Sequence, residues 1–166
     1  MSKKSIILLL ILTSLFCSCA RHRHITTFQS PFREEETWGL PLFNSSYKII
    51  SHFGEYRRRG NSYYSHEGID IKAEKGTPVV AVQNGTVIFA DKLGSYGLLV
   101  CIKHQNSWET RYAHLSSITI KRNQIVKKGQ IIGKVGQTGN ATTPHLHLEL
   151  RKNEKPINPL ILIPIE

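Results

Sequence analysis

His145 and His147 stand one residue apart in TTPHLHLEL, residues 142–150, a run that otherwise reads as a β-strand. Strand side chains alternate between faces, so residues two apart share one. His145, His147 and Glu149 then line one face, and Leu146, Leu148 and Leu150 line the other, the natural core side. Three groups able to bind metal or carry protons on one face suggest a site. A solvated strand face that happens to bear histidines is the competing reading.

A catalytic zinc ion takes three protein ligands and keeps a fourth position for water, so one strand is not enough. HEGID supplies His66 and Asp70 in the spacing H-x-x-x-D. In an extended chain their Cα atoms would stand ~13 Å apart, at ~3.3 Å per residue. They reach one ion only if the segment bends, and Gly68 between them permits a bend. An exposed loop histidine and a turn-capping carboxylate are the plain alternatives. RYAHLSS adds His114 near the end of another predicted strand, where alone it reads as a structural histidine. Together these five residues lie on strands, or at strand ends, of one predicted sheet system. His104, following a strand beside Lys103, is expected to be exposed, and His22 and His24 repeat the H-x-H spacing in a stretch with no scaffold. Glu149 is too far along its strand to be chosen as a ligand and is expected to sit behind the site or at the surface.

The elements that must hold these residues read as β from Trp38 onward. Runs rich in Val, Ile, Tyr and Leu alternate with Gly, Asn and Ser turns. Strands are expected in YKIIS, GIDIKA, PVVAVQ, GTVIFADK, GLLVCIKH, WETRYAHL, QIIGKVG and PHLHLEL. Asn-Gly in VQNGTV predicts a hairpin turn. No long segment has a helical period, and two stretches, GTPVVAVQNGTVIFAD and NQIVKKGQIIGKVGQ, echo one another weakly. The expectation is an all-β, mostly antiparallel fold of two packed sheets. The tail KPINPLILIPIE, with three prolines, is expected to close irregularly over the core.

The chain has 166 residues, a length suited to one domain with a real core. Its 22 Lys and Arg against 12 Asp and Glu imply an anionic partner or simple solubility. No aromatic-basic nucleic-acid motif stands out, which leaves membrane surface or cell-wall polymer. The N-terminus has two lysines, an apolar run over residues 6–16, then small residues and cysteine, the layout of a secretory signal. That run is well short of the ~20 residues a spanning helix needs. FCSC resembles a bacterial lipoprotein signal, with Phe16 where Leu, Val or Ile is commoner, and it predicts lipidation at Cys19, with Cys17 as the alternative and plain secretion as the simpler reading. The expected division is a leader over 1–18, a tether over 19–37 and a domain over 38–166. Cys101, in GLLVCIKH, is expected to be a buried thiol, which argues against a disulfide framework or a cysteine zinc site.

With the motifs assembled, HEGIDIKAEKGTPVVAVQNGTV, RYAHLSSI, VKKGQIIGKVGQTGNATTPHLHLEL and INPL closely resemble the lysostaphin and LytM-type zinc metallopeptidases, which cleave peptide bonds in bacterial peptidoglycan. The resemblance runs from about residue 38 to 160 and includes SHFGEYR as the family's opening segment. Thr143 stands before Pro144 where many members have Gly, a small departure. The resemblance implies one zinc ion per chain held by His66, Asp70 and His147, with His114 and His145 as catalytic histidines. One of these would take or steer a proton from the zinc-activated water while the other stabilises the oxyanion, the assignment between them remaining open. It also implies a duplicated hybrid-type β fold with a groove over the metal. Tyr64 and Tyr112 are further candidates for contact with substrate, and Tyr56 with the run Arg57, Arg58 and Arg59 lies near the same loop, where exposed charge is the default reading.

Two functions follow. One is a peptidoglycan endopeptidase of the cell envelope, tethered to a membrane by lipid and meeting stem-peptide cross-links. The other is a non-catalytic regulator of a partner cell-wall hydrolase; a full ligand set with two further histidines counts against it. A lipoyl- or biotin-carrier domain would need a lysine at a hairpin tip, and VQNGTV has none.

Overall fold

The computed structural model describes residues 37–43 and 48–165; the expected leader, Cys19 and nearly all of the tether lie outside them. The strands in chain order are β1 (Lys48–Ser51), β2 (Tyr56–Arg59), β3 (Ser62–Ser65), β4 (Ile69–Lys72), β5 (Pro78–Val80), β6 (Gly85–Leu93) and β7 (Gly97–Lys103). They continue as β8 (Trp108–Leu115), β9 (Ser117–Ile118), β10 (Ile125–Val126), β11 (Ile131–Lys134), β12 (His145–Lys152) and β13 (Lys155–Ile157). Among the described residues the helical elements are short 3₁₀ turns.

The large sheet runs β1-β4-β12-β8-β7-β6-β10, with β13 paired to the end of β12. A three-stranded sheet, β5-β11-β9, packs against it, and β2 and β3 form a separate hairpin. All pairings are antiparallel. Alternation on the central strands explains the core. Ile69 and Ile71 of β4, Leu146 and Leu148 of β12, and Val100 and Ile102 of β7 pack with Val79 of β5 and Ile132 of β11. Ile163 and Ile165 of the tail join them after β13 and one 3₁₀ turn, so the tail closes over the core as expected but contributes a strand first. Cys101 is the buried thiol the sequence suggested, and burial pushes it up to about 12.

Asn84-Gly85 is not a hairpin turn. β5 pairs with β11, β6 pairs with β7 and β10, and the chain changes sheets between them. Gly85 is needed there for space: a Cβ would lie 2.6 Å from Ile102 Cγ2 and 2.8 Å from His104 Nδ1. His104 is likewise not exposed. It is buried, donates Nδ1–H to Asn84 O at 2.7 Å, and has Thr110 Oγ1 2.8 Å from Nε2. Burial lowers its pKa. The hairpin β2–β3 was invisible to apolar alternation because YRRR and SYYS carry no aliphatic residue and bury none of their tyrosines.

β12 lies between β4 and β8, and its leucines carry the sheet's inner face. Leu148→Ala is expected to cost about 2–5 kcal/mol in a denaturant melt. Ile125→Ala, at a side chain 78% exposed, is expected to stay within about 0.5 kcal/mol. Equal costs would contradict this placement of the core.

Candidate active site

The register of β4 on β12 sets Asp70 opposite His147, with Ile69 and Ile71 opposite Leu148 and Leu146. Because alternation sends the apolar side chains inward, Asp70 and His147 share the outer face. His66 joins them from the loop before β4, its backbone fixed by bonds to Gly54 and Glu55. The loop must cross close to β12. A Cβ on Gly68 would strike Leu148 O and lie 3.0 Å from His147 Cε1, so close approach is what demands glycine here.

Three donor atoms converge. Asp70 Oδ1 lies 2.8 Å from His147 Nδ1 and 3.2 Å from His66 Nε2, and the two nitrogens are 3.0 Å apart. All three residues are buried. His66 donates Nδ1–H to His52 O at 2.9 Å, which leaves the Nε2 lone pair facing the centre. Two imidazole nitrogens and a carboxylate oxygen so close in a buried space repel one another unless a proton or a metal cation lies among them. Donors around tetrahedral zinc, at bonds of ~2.0–2.2 Å, stand roughly 3.3–3.6 Å apart, so a slight opening of this triangle would let His66, Asp70 and His147 hold one ion.

The electrostatics match. Burial would raise the Asp70 carboxyl, but hydrogen bonds from His147, His66 and Arg57 outweigh it and hold the group well below the carboxylate range. Burial would lower His147, yet its bonds to Asp70 and Glu149 prevail and raise its affinity for a proton. The same charges favour any cation. Arg57 donates Nη2–H to Asp70 Oδ2 at 2.5 Å and to Ser51 Oγ at 2.7 Å, which engages the carboxylate oxygen that faces away from the histidines. Reading the sequence as exposed charge missed this role; the signal was its place in SHFGEYR.

His114 and His145 flank the centre, their rings 4.7 Å apart. His145 donates Nδ1–H to Thr143 O and His114 to Thr138 O, each at 2.8 Å. Both therefore keep a lone pair on Nε2, and that of His145 lies 3.8 Å from Asp70 Oδ1. Thr138 is held by an interlock of Gly97 and Gly139, at φ +66° and +68°, where a Cβ on Gly97 would strike Thr138 itself. Burial, then the charges of His145 and His147, lower His114 to about 4, so it is neutral at pH 7.

His114 reaches this position through a β-bulge. β8 and β7 pair at Tyr112↔Val100 and at Leu115↔Leu98, which gives β8 one extra residue between them. His114 takes it up at φ 60°. In a regular strand Tyr112 and His114 would share a face. The bulge separates them, and Tyr112 goes to the core, 0% exposed, its hydroxyl accepting from Val82 N at 3.0 Å. The expectation that Tyr112 meets substrate is corrected on this ground. Tyr64 is half exposed and lines, with Arg57, Tyr96 and Asn140, a groove of about 720 Å³ over the five site residues.

The model of Peptidase family M23 matches residues 64–159. The DD-carboxypeptidase/endopeptidase Mpg of Neisseria meningitidis serogroup B (strain ATCC 13091 / M2091) is 44% identical over 115 residues, 68% of this chain and 26% of that protein. The murein hydrolase activator NlpD of Escherichia coli (strain K12) is 36% identical over 129 residues, 77% of this chain and 31% of that protein. Among solved structures, a zinc containing peptidase from Vibrio cholerae superposes with a TM-score of 0.69 at 33% identity, covering 75% of this chain and 39% of that one. The chain thus spans about a quarter to a third of the two curated relatives.

The depressed His114 makes stability depend on pH. The unfolded histidine takes a proton near 6.5 and the folded one near 4, so its contribution is whole above pH 6.5 and is lost as pH falls towards 4. Denaturant melts with chelator present should show a loss of about 2–3 kcal/mol over that window, reduced in His114→Ala. His114→Gly should be more stable than His114→Ala by about 1 kcal/mol, because glycine adopts the bulge conformation without strain. A more stable alanine variant would contradict the left-handed assignment.

Proposed function

The chain belongs to peptidase family M23, and from that premise we propose that it is a zinc-dependent endopeptidase that hydrolyses peptide bonds in bacterial peptidoglycan. The observation that carries the reading is the convergence of His66 Nε2, Asp70 Oδ1 and His147 Nδ1 beneath one groove, with two further imidazoles beside them. A bound zinc ion would supply Lewis acidity and bring the pKa of water down to about 7.

The chain's own groups do the rest. Arg57 and the two ligand histidines keep Asp70 ionised. His114 is unprotonated at neutral pH and accepts a proton at Nε2, its ring fixed through Thr138 O. His145, fixed through Thr143 O, offers a second Nε2 on the same side. Whichever of the two takes the proton becomes a donor for negative charge that develops on the substrate carbonyl oxygen. Arg57 and Tyr64, paired across β2 and β3, form a wall along which a peptide would lie.

Stem-peptide cross-links are the proposed bond, the leader and Cys19 the route to a lipid-tethered place in the envelope. Purified protein loaded with zinc should release new fragments, read by mass, from cross-linked peptidoglycan. His114→Ala and His145→Ala should each lower the rate by about 10²-fold or more, and chelation should abolish it. A protein that is folded and zinc-loaded yet cleaves nothing would overturn the reading. It would favour a regulator of another hydrolase, which the 36% identity to a protein named a murein hydrolase activator supports as the second reading. Cys19→Ser should abolish metabolic labelling by a fatty acid; persistent labelling would move the anchor elsewhere.

A further inference from the structure

Glu149 sits two residues past His147 on the outer face of β12, and its exposure is 0%. A carboxylate is almost never buried so completely without partners. Glu149 Oε1 accepts from the Tyr96 hydroxyl at 2.7 Å and lies 3.2 Å from His147 Nε2. Its Oε2 accepts from Arg151 Nη1 at 2.6 Å, and that nitrogen also donates to Glu67 Oε2 at 2.8 Å. Glu67 adjoins His66. Arg151 therefore links the strand that carries one candidate ligand to the loop that carries another.

The neutral imidazole of His147 holds one N–H, and two carboxylates compete for it. Asp70 Oδ1 lies 2.8 Å from Nδ1, and Glu149 Oε1 lies 3.2 Å from Nε2. A proton on Nδ1 would satisfy Asp70 and block the nitrogen that faces the metal position. A proton on Nε2 satisfies Glu149 and frees Nδ1. The hydrogen bond made by one ring nitrogen decides which nitrogen can bind metal.

We infer that Glu149 is a positioning residue that draws the His147 proton to Nε2, so that Nδ1 is presented beside Asp70 and His66, and that Arg151 and Tyr96 hold Glu149 in place. The inference rests on His66, Asp70 and His147 being the metal ligands. The partners of Glu149 support it: the Tyr96 hydroxyl at Oε1 and the Arg151 guanidinium at Oε2 fix the carboxylate from the sides away from His147.

The test measures zinc affinity by competition with a chromophoric chelator, and the His147 tautomer by ¹⁵N NMR of the metal-free protein at alkaline pH. The wild type should show the Nε2–H form. Glu149→Met should bind zinc about 10–100-fold more weakly and shift towards Nδ1–H. Glu149→Gln, close in shape and still an acceptor, should fold where the methionine variant does not and give a smaller change in the same direction in both readouts. A residue that merely neutralised Arg151 would leave the tautomer unchanged. Zinc binding within twofold of wild type in the folded variants, with an unaltered tautomer, would overturn the role of Glu149 while leaving the metal site standing. A wild type that binds no zinc would overturn the ligand reading and this inference with it.

Discussion

The antiparallel register between β4 and β12 is the constraint on which the rest depends. It pairs Asp70 with His147 on one face and Ile69 and Ile71 with Leu148 and Leu146 on the other. A slip of β4 by one residue would turn all its side chains to the opposite face. It would expose the buried Ile69 and Ile71 and carry Asp70 away from His147 in one step. The hydrophobic core thus specifies how His66, Asp70 and His147 converge, from the opposite face of the sheet.

The polar side is built on the same economy of alternatives. Each histidine is fixed by a bond at one nitrogen and left open at the other: His66 through His52 O, His114 through Thr138 O, His145 through Thr143 O. All three anchors are backbone carbonyls, which do not titrate. His147 is the exception, with carboxylates at both nitrogens. The ligand triangle therefore sits where backbone sets three rings and side-chain charge sets the fourth.

The sheet and the convergence of His66, Asp70 and His147 were legible because they follow alternation and spacing. The eight strands expected from apolar runs all appear, and H-x-H with H-x-x-x-D describes the candidate ligands His66, Asp70 and His147 that the register brings together. What escaped has physical causes. Tyr112 was misplaced because a bulge breaks the period that sequence reading relies on. His104 was misplaced because its partners, Asn84 and Thr110, come from a distant turn and a neighbouring strand. Asn84-Gly85 imitates a hairpin because glycine serves close approach as well as turns. Arg57 escaped because the run of three arginines reads as solvated charge, and only its place at the end of SHFGEYR sets it apart from Arg58 and Arg59.

The interlocked glycines at 97 and 139 give the groove two walls of different character. On one side, any new side chain collides with backbone, and the collision reaches Thr138 and through it His114. On the other, among the described residues β2 and β3 pair only with each other, with Arg57 and Tyr64 inward and Tyr56 and Tyr63 exposed on the far face. Variation is thereby channelled. The glycine wall can hardly diverge without disarming the chemistry, whereas the hairpin can be lengthened, shortened or rewritten outside Arg57. A lineage built on this scaffold would change what the groove accepts through one edge while the histidine cluster beneath it stayed fixed.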